Sequence, residues 1–116
     1  MIDPSDRRLE PRYPIHGPVN VRCKGGVFSA EIFDVSLNGA LLSHSTEHPM
    51  QSGEQIEVEL SLPGTAQVHA RALVAHVHGD RFGIEFQDMP AHDFDIFCGL
   101  VLMLAQQRRP ALLPAD

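Results

Sequence analysis

Ile56-Glu57-Val58-Glu59-Leu60-Ser61-Leu62 alternates aliphatic and polar side chains without a break. A period of two puts every second residue on one face, so this stretch is a strand with one buried and one wet side. Pro63-Gly64 ends it. Downstream, Val68, Ala70 and Ala72 share one face and Leu73, Ala75 and Val77 the other; the change of face at Ala72-Leu73 predicts a β-bulge or a strongly bent long strand. Gly79-Asp80 then turns the chain into Phe82, Ile84 and Phe86, again alternating. Upstream, Gly39 to His44 forms a strand followed by a loop through Pro49 and Ser52-Gly53. Before it lie Phe28, Ala30 and Ile32, in a run ending at Asp34, and Val19, Val21 and Cys23, with a hairpin turn at Gly25-Gly26 between the two runs. About six such strands with no interleaved helix predict a small antiparallel barrel.

The one helical pattern is close to the C-terminus, over residues 91–107. Asp93 and Asp95 near its start, and Arg108 and Arg109 after its last turn, match the helix dipole. Phe94, Phe97, Val101 and Leu104 form a stripe expected to pack on the barrel. Ile96, Leu100 and Met103 form a second stripe, which with Leu112 and Leu113 either completes the core or offers a surface for a partner or a homodimer. Residues 1–17, with Pro4, Pro11, Pro14 and Gly17, show no periodicity. The expected organisation is therefore a flexible N-terminal segment 1–17, a barrel with its helix over 18–109, and a tail 110–116.

A chain of 116 residues with a net charge of −6 can bury one modest core and lacks the basic face of a general DNA or RNA binder. The charge is uneven. Up to Lys24 there are five basic residues (Arg7, Arg8, Arg12, Arg22, Lys24) and three acidic ones (Asp3, Asp6, Glu10), a net of +2, leaving −8 for the remainder. That favours a compact anionic ligand over a long polyanion. No apolar run is long enough for a membrane span, and the start Met1-Ile2-Asp3-Pro4-Ser5-Asp6 has no signal-peptide pattern, so a cytoplasmic location is expected. Cys23 and Cys98 read as reduced, half-buried thiols. The seven histidines complete no metal-ligand set with Cys or carboxylates, and His76 and His78 are expected to be solvated. No nucleophile elbow or other catalytic signature is present, so no enzyme activity and no metal or cofactor is expected.

Two short motifs carry the chemistry: Arg8-x-x-x-Arg12 and Asp34-x-Ser36-x-x-Gly39. A guanidinium can fork onto phosphate, onto the O6/N7 edge of guanine, or stack on a purine. A carboxylate at Asp34 can accept from the N1–H and N2 amino group of guanine, Ser36 adds a hydroxyl, and Gly39 permits a positive φ. Either motif alone is also what a solvated basic segment or an ordinary strand–turn–strand connection would contain.

Together with Phe82-Gly83-Ile84-Glu85-Phe86, the two motifs resemble the PilZ domain, a bacterial receptor module for cyclic di-GMP, from about Arg7 to Leu104. The resemblance implies a six-stranded antiparallel split β-barrel with a C-terminal helix. It also implies cyclic di-GMP bound by Arg8, Arg12, Asp34, Ser36 and Gly39. Arg7, just before the first motif, adds charge suited to an intercalated pair of nucleotides. The function implied is a receptor or adaptor that changes conformation on binding and signals to an effector protein, in motility, exopolysaccharide or virulence control. The alternative is a PilZ-like interaction module that binds no nucleotide.

Overall fold

The computed structural model describes residues 11–45, 47–62, 64 and 67–112, with helix side chains described as far as Gln107. Six strands, β1 (Tyr13–Cys23), β2 (Gly26–Val35), β3 (Gly39–Ser43), β4 (Gln55–Leu60), β5 (Val68–His78) and β6 (Arg81–Asp88), precede one helix, α1 (Ala91–Leu112). All neighbours are antiparallel and the ring closes in the order β1-β2-β3-β6-β5-β4. Closure leaves no unpaired edge.

The alternating runs face inward as their period requires. Val19 and Val21, Ile32, Leu42, Ile56, Val58 and Leu60, Val68 and Val74, and Phe82 and Ile84 are buried together. Ala30, Ala40, Ala70 and Ala72 are buried in the same interior as Phe82 and Phe28, small residues alternating with large ones as a narrow barrel requires. The β1–β2 connection is Lys24-Gly25, with Gly26 at φ +128° paired to Cys23, one residue earlier than the sequence pattern placed it. β1 begins at Tyr13, so residues 13–17 belong to the barrel and not to the irregular segment.

Two register shifts reset which face is buried. On β5 the inward phase runs unbroken through Val74, and the extra residue is Ala75, between the pairs Val74↔Ile84 and His76↔Gly83. The change of face expected at Ala72-Leu73 therefore lies further along the strand, because one extra residue is what flips a strand's faces. On β2, Phe33 is the extra residue between Ile32↔Leu42 and Asp34↔Leu41.

Gly17 sits where β1 runs under the chain leaving β4. A Cβ there would lie 2.6 Å from the backbone oxygen of Ser61. Ser61 N–H also donates to Pro18 O at 3.1 Å, so the two segments cannot separate cheaply. Gly17→Ala should cost about 1–3 kcal/mol and lower the thermal midpoint by roughly 5–10 °C, as measured by circular dichroism. An unchanged midpoint would refute the close approach.

The loop between β3 and β4 is held by a histidine. His44 Nε2 accepts from Met50 N–H at 3.0 Å, which leaves Nδ1 to donate to Gly79 O at 3.0 Å. His48 stacks on Phe28 with centroids 4.6 Å apart. Solvation is thus not the whole account of the histidines, although His76 and His78 are exposed as expected.

α1 lies against β5 and β1. Phe97, Leu100 and Val101 are buried, with Ile96 and Leu104 partly so. Phe97 meets Phe86 edge-on at 5.2 Å. Asp93, in the first turn, accepts the backbone N–H of His69 at 2.8 Å. These contacts set the helix's rotation. Phe94, expected on the barrel, is 48 % exposed, and Met103 and Leu102 also face outward. Cys23 and Cys98 are free, half-buried thiols. No helix of the described residues is long and apolar enough to cross a membrane.

Candidate functional site

The strand register brings the second motif and the end of the first to one place. Pro14 of β1 pairs with Asp34, Asp34 pairs with Leu41 of β3, and Leu41 pairs with Gly83 of β6. Arg12, exposed, is one residue beyond the pair Tyr13↔Val35, beside the start of the turn that carries Ser36. Arg12, Asp34, Ser36 and Gly39 therefore converge although 27 residues separate the first from the last. Arg7 and Arg8 lie outside the described residues.

Asp34 owes its orientation to the irregularity around Phe33. In step with Phe28, Ala30 and Ile32, residue 34 would point into the core. The bulge against β3, matched by a register shift between Pro14 and Gly17 on β1, turns Phe33 and Asp34 half outward and returns Val35 to the interior. A carboxylate that would have been costly to bury is delivered to the surface at the strand's end.

The turn 36–39 is tightly tied. Ser36 N–H donates to Gly39 O at 2.9 Å, and its hydroxyl is 3.4 Å from the same oxygen. Phe86 N–H donates to Asn38 O at 2.8 Å. Ser36 is 3 % exposed, the one buried polar residue among those described, so in this geometry its hydroxyl braces the turn. Gly39 is a buried strand residue opposite Glu85. The glycines with positive φ are Gly26, Gly53, Gly64 and Gly79, so the positive φ that Gly39 would permit is not adopted.

Around Asp34 the outer surface holds side chains that the motifs did not single out. The Arg81 guanidinium stands 4.2 Å from the centroid of Phe33, the residue beside Asp34. Gly83 lacks a side chain, and the His76 imidazole occupies the space a Cβ would take. His76 and Gly83 are cross-strand partners, so only the register identifies this packing. The surface around Asp34 thus brings together a guanidinium, an aromatic ring and an imidazole, planar groups that can meet a purine ring or an anion.

A competing groove of about 650 Å³ is found at the other end of β1 and β4, lined in part by Arg22, Lys24, Glu57, Arg71 and Asp88. Its charges alternate across the strands, since Arg22 pairs with Glu57 and Glu57 with Arg71 in register, and Arg71 Nη2 is 2.7 Å from Asp88 Oδ2. Compensated in this way, it offers a phosphate little. Among the described residues no group of His, Cys, Asp or Glu is arranged to hold a metal ion.

A closed six-stranded barrel with a C-terminal helix thus carries Arg12 and Asp34 together at the end of β2. The PilZ domain model matches residues 6–100, and the chain belongs to that family. Solved structures agree on the fold. The Bacillus subtilis inhibitor of motility MotI/DgrA superposes with a TM-score of 0.77 at 18% identity, covering 93% of this chain and 58% of that one. The PilZ domain with c-di-GMP of YcgR from Escherichia coli gives 0.71 at 14% identity, covering 95% of this chain and 100% of the other. The K. pneumonia MrkH–c-di-GMP complex gives 0.73 at 17% identity, covering 90% and 54%. The chain thus spans little more than half the length of MotI/DgrA and MrkH. No curated protein sequence matches it.

Proposed function

We propose that this chain is a cyclic di-GMP receptor without enzymatic activity, passing its signal to a protein partner. The observation that carries the reading is the convergence of Arg12, Asp34 and the 36–39 turn on one surface of the barrel. In it, Asp34 accepts from the Watson–Crick edge of a guanine, while Arg12 and Arg8 hold phosphates and the Hoogsteen edge of the bases. Ser36 and Gly39 keep the turn compact enough for the ligand to approach the backbone. Arg7 supplies charge for a stacked pair of nucleotides. The YcgR PilZ domain and MrkH, which share this fold, are both solved with c-di-GMP, which supports the choice of ligand.

Binding would draw the arginine segment against the barrel and so change the surface a partner meets. The Phe86 backbone holds Asn38 while its ring touches Phe97, which supports α1 as the second element to respond. The outward Phe94, Leu102 and Met103 favour α1 as the partner or homodimer face, and they are also the observation behind the alternative, an interaction module that binds no nucleotide.

Isothermal titration of the whole chain with cyclic di-GMP, with GTP as control, separates the two. The receptor reading expects saturable heat for cyclic di-GMP alone, with two nucleotides per chain. One nucleotide per chain would remove the pair and the role given to Arg7. No heat at high micromolar ligand would overturn the receptor reading and leave α1 as the working surface.

A further inference from the structure

Away from the arginine–carboxylate surface, one histidine stands between two carboxylates. His69, on the outer face of β5, has Nε2 2.7 Å from Glu59 Oε2 on β4 and Nδ1 3.3 Å from Asp93 Oδ2 in the first turn of α1. A carboxylate only accepts, and a neutral imidazole has a single N–H to give. Both contacts are hydrogen bonds only when the ring is an imidazolium. Two further donors orient the acids: Asn20 Nδ2 donates to Glu59 Oε1 at 3.2 Å, and the His69 backbone N–H donates to Asp93 Oδ2 at 2.8 Å.

We propose that Glu59, His69 and Asp93 form a pH-sensitive clasp that holds the first turn of α1 to the barrel while the imidazole is protonated and slackens when it is not. On deprotonation the remaining proton stays on Nε2, at the shorter contact with Glu59. The Nδ1 lone pair then faces an Asp93 oxygen, and two acceptors repel where a hydrogen bond stood. Asp93 keeps only the His69 backbone N–H. The first turn is thereby loosened just ahead of Phe97, the residue that seats the helix.

The electrostatics agree with the geometry. The hydrogen bond to Glu59 chiefly holds the His69 imidazole above its ordinary 6.5; partial desolvation works the other way, and Asp93 adds to the rise. Glu59 is held below 4.5, by Asn20 first and then His69. Asp93 is held below 3.8, by the His69 backbone N–H first, with smaller help from the His69 ring and His92. The other charged groups on this outer face, Arg22, Glu57, Arg71 and Asp88, alternate in sign across the strands. A raised histidine stabilises fully below 6.5, and that part is lost as pH climbs through the raised value. The lowered carboxylates stabilise above 4.5 and 3.8, and their part is lost as pH falls through the lowered values. The clasp is complete from about 4.5 to 6.5 and opens on both sides of that window.

The test is an NMR titration of the His69 ring with amide hydrogen exchange across α1, corrected for intrinsic rates. In the wild-type chain the ring should titrate above 6.5 and fall towards it in Glu59→Gln and in Asp93→Asn. Protection in the first turns of α1 should drop several-fold between about pH 5.5 and about pH 8.5. In His69→Gln the protection should no longer depend on pH. A wild-type ring titrating at or below 6.5 would overturn the proposal, as would protection that ignores the titration. If His69→Gln fails to fold, the wild-type and Asp93→Asn comparison still decides.

Discussion

Asp34→Ala should weaken cyclic di-GMP binding by about 100-fold while leaving the thermal midpoint almost unchanged. The loss follows from what the carboxylate is given to do. In the proposed complex two oxygens face the N1–H and N2 amino group in charge-assisted bonds, and truncation would leave those donors without a partner. The side chain is only half-buried, so the lower part of the usual range for such a loss applies. Asp34 lies outside the core, past the Phe33 bulge, so the barrel has little reason to notice the change. Asp34→Asn keeps one acceptor oxygen and should lose less. Discrimination against cyclic di-AMP should shrink with affinity, since adenine lacks the N1–H and N2 donors. Calorimetric titration of both nucleotides checks all of this. Unaltered affinity in Asp34→Ala would dismantle the guanine assignment even if the wild-type chain binds.

Phe97→Ala should cost about 3–5 kcal/mol and lower the thermal midpoint by roughly 15 °C. The ring is 0 % exposed, meets Phe86 edge-on and lies at the centre of the helix–barrel contact. Phe94→Ala, three residues earlier, should move the midpoint by no more than about 2 °C, because that ring is half in solvent. The pair is a sharp test of helix rotation, since the apolar stripe of the sequence treats the two phenylalanines alike. Comparable losses in both variants would mean that α1 docks otherwise. Phe86 bridges the helix and the 36–39 turn, so the Asn38 and Gly39 amide resonances should also shift in Phe97→Ala and stay put in Phe94→Ala.

Much of this molecule is legible in its chain. Strict alternation in Ile56–Leu62 and its neighbours set the strands, since a period of two has one structural meaning. Glycine-containing turns ordered the hairpins, and the absence of helical periodicity before residue 91 left a barrel as the way to bury one face of every strand. The arginine and Asp-x-Ser-x-x-Gly spacings marked the family.

What alternation could not show is where it breaks. Continued from Phe28, Ala30 and Ile32, it would bury Asp34, the residue on which the site reading turns. A bulge depends on how many residues the partner strand supplies, and the sequence of β2 does not contain the register of β1 and β3. The same holds for Ala75 on β5, for the ring of His76 over Gly83, and for the rotation of α1. His69 carries this furthest. Its two carboxylates come from β4 and α1, 10 residues before it and 24 after, and only closure of the barrel and docking of the helix bring them to one imidazole. Periodicity determines which residues go inside; pairing between distant segments decides which polar side chains meet outside.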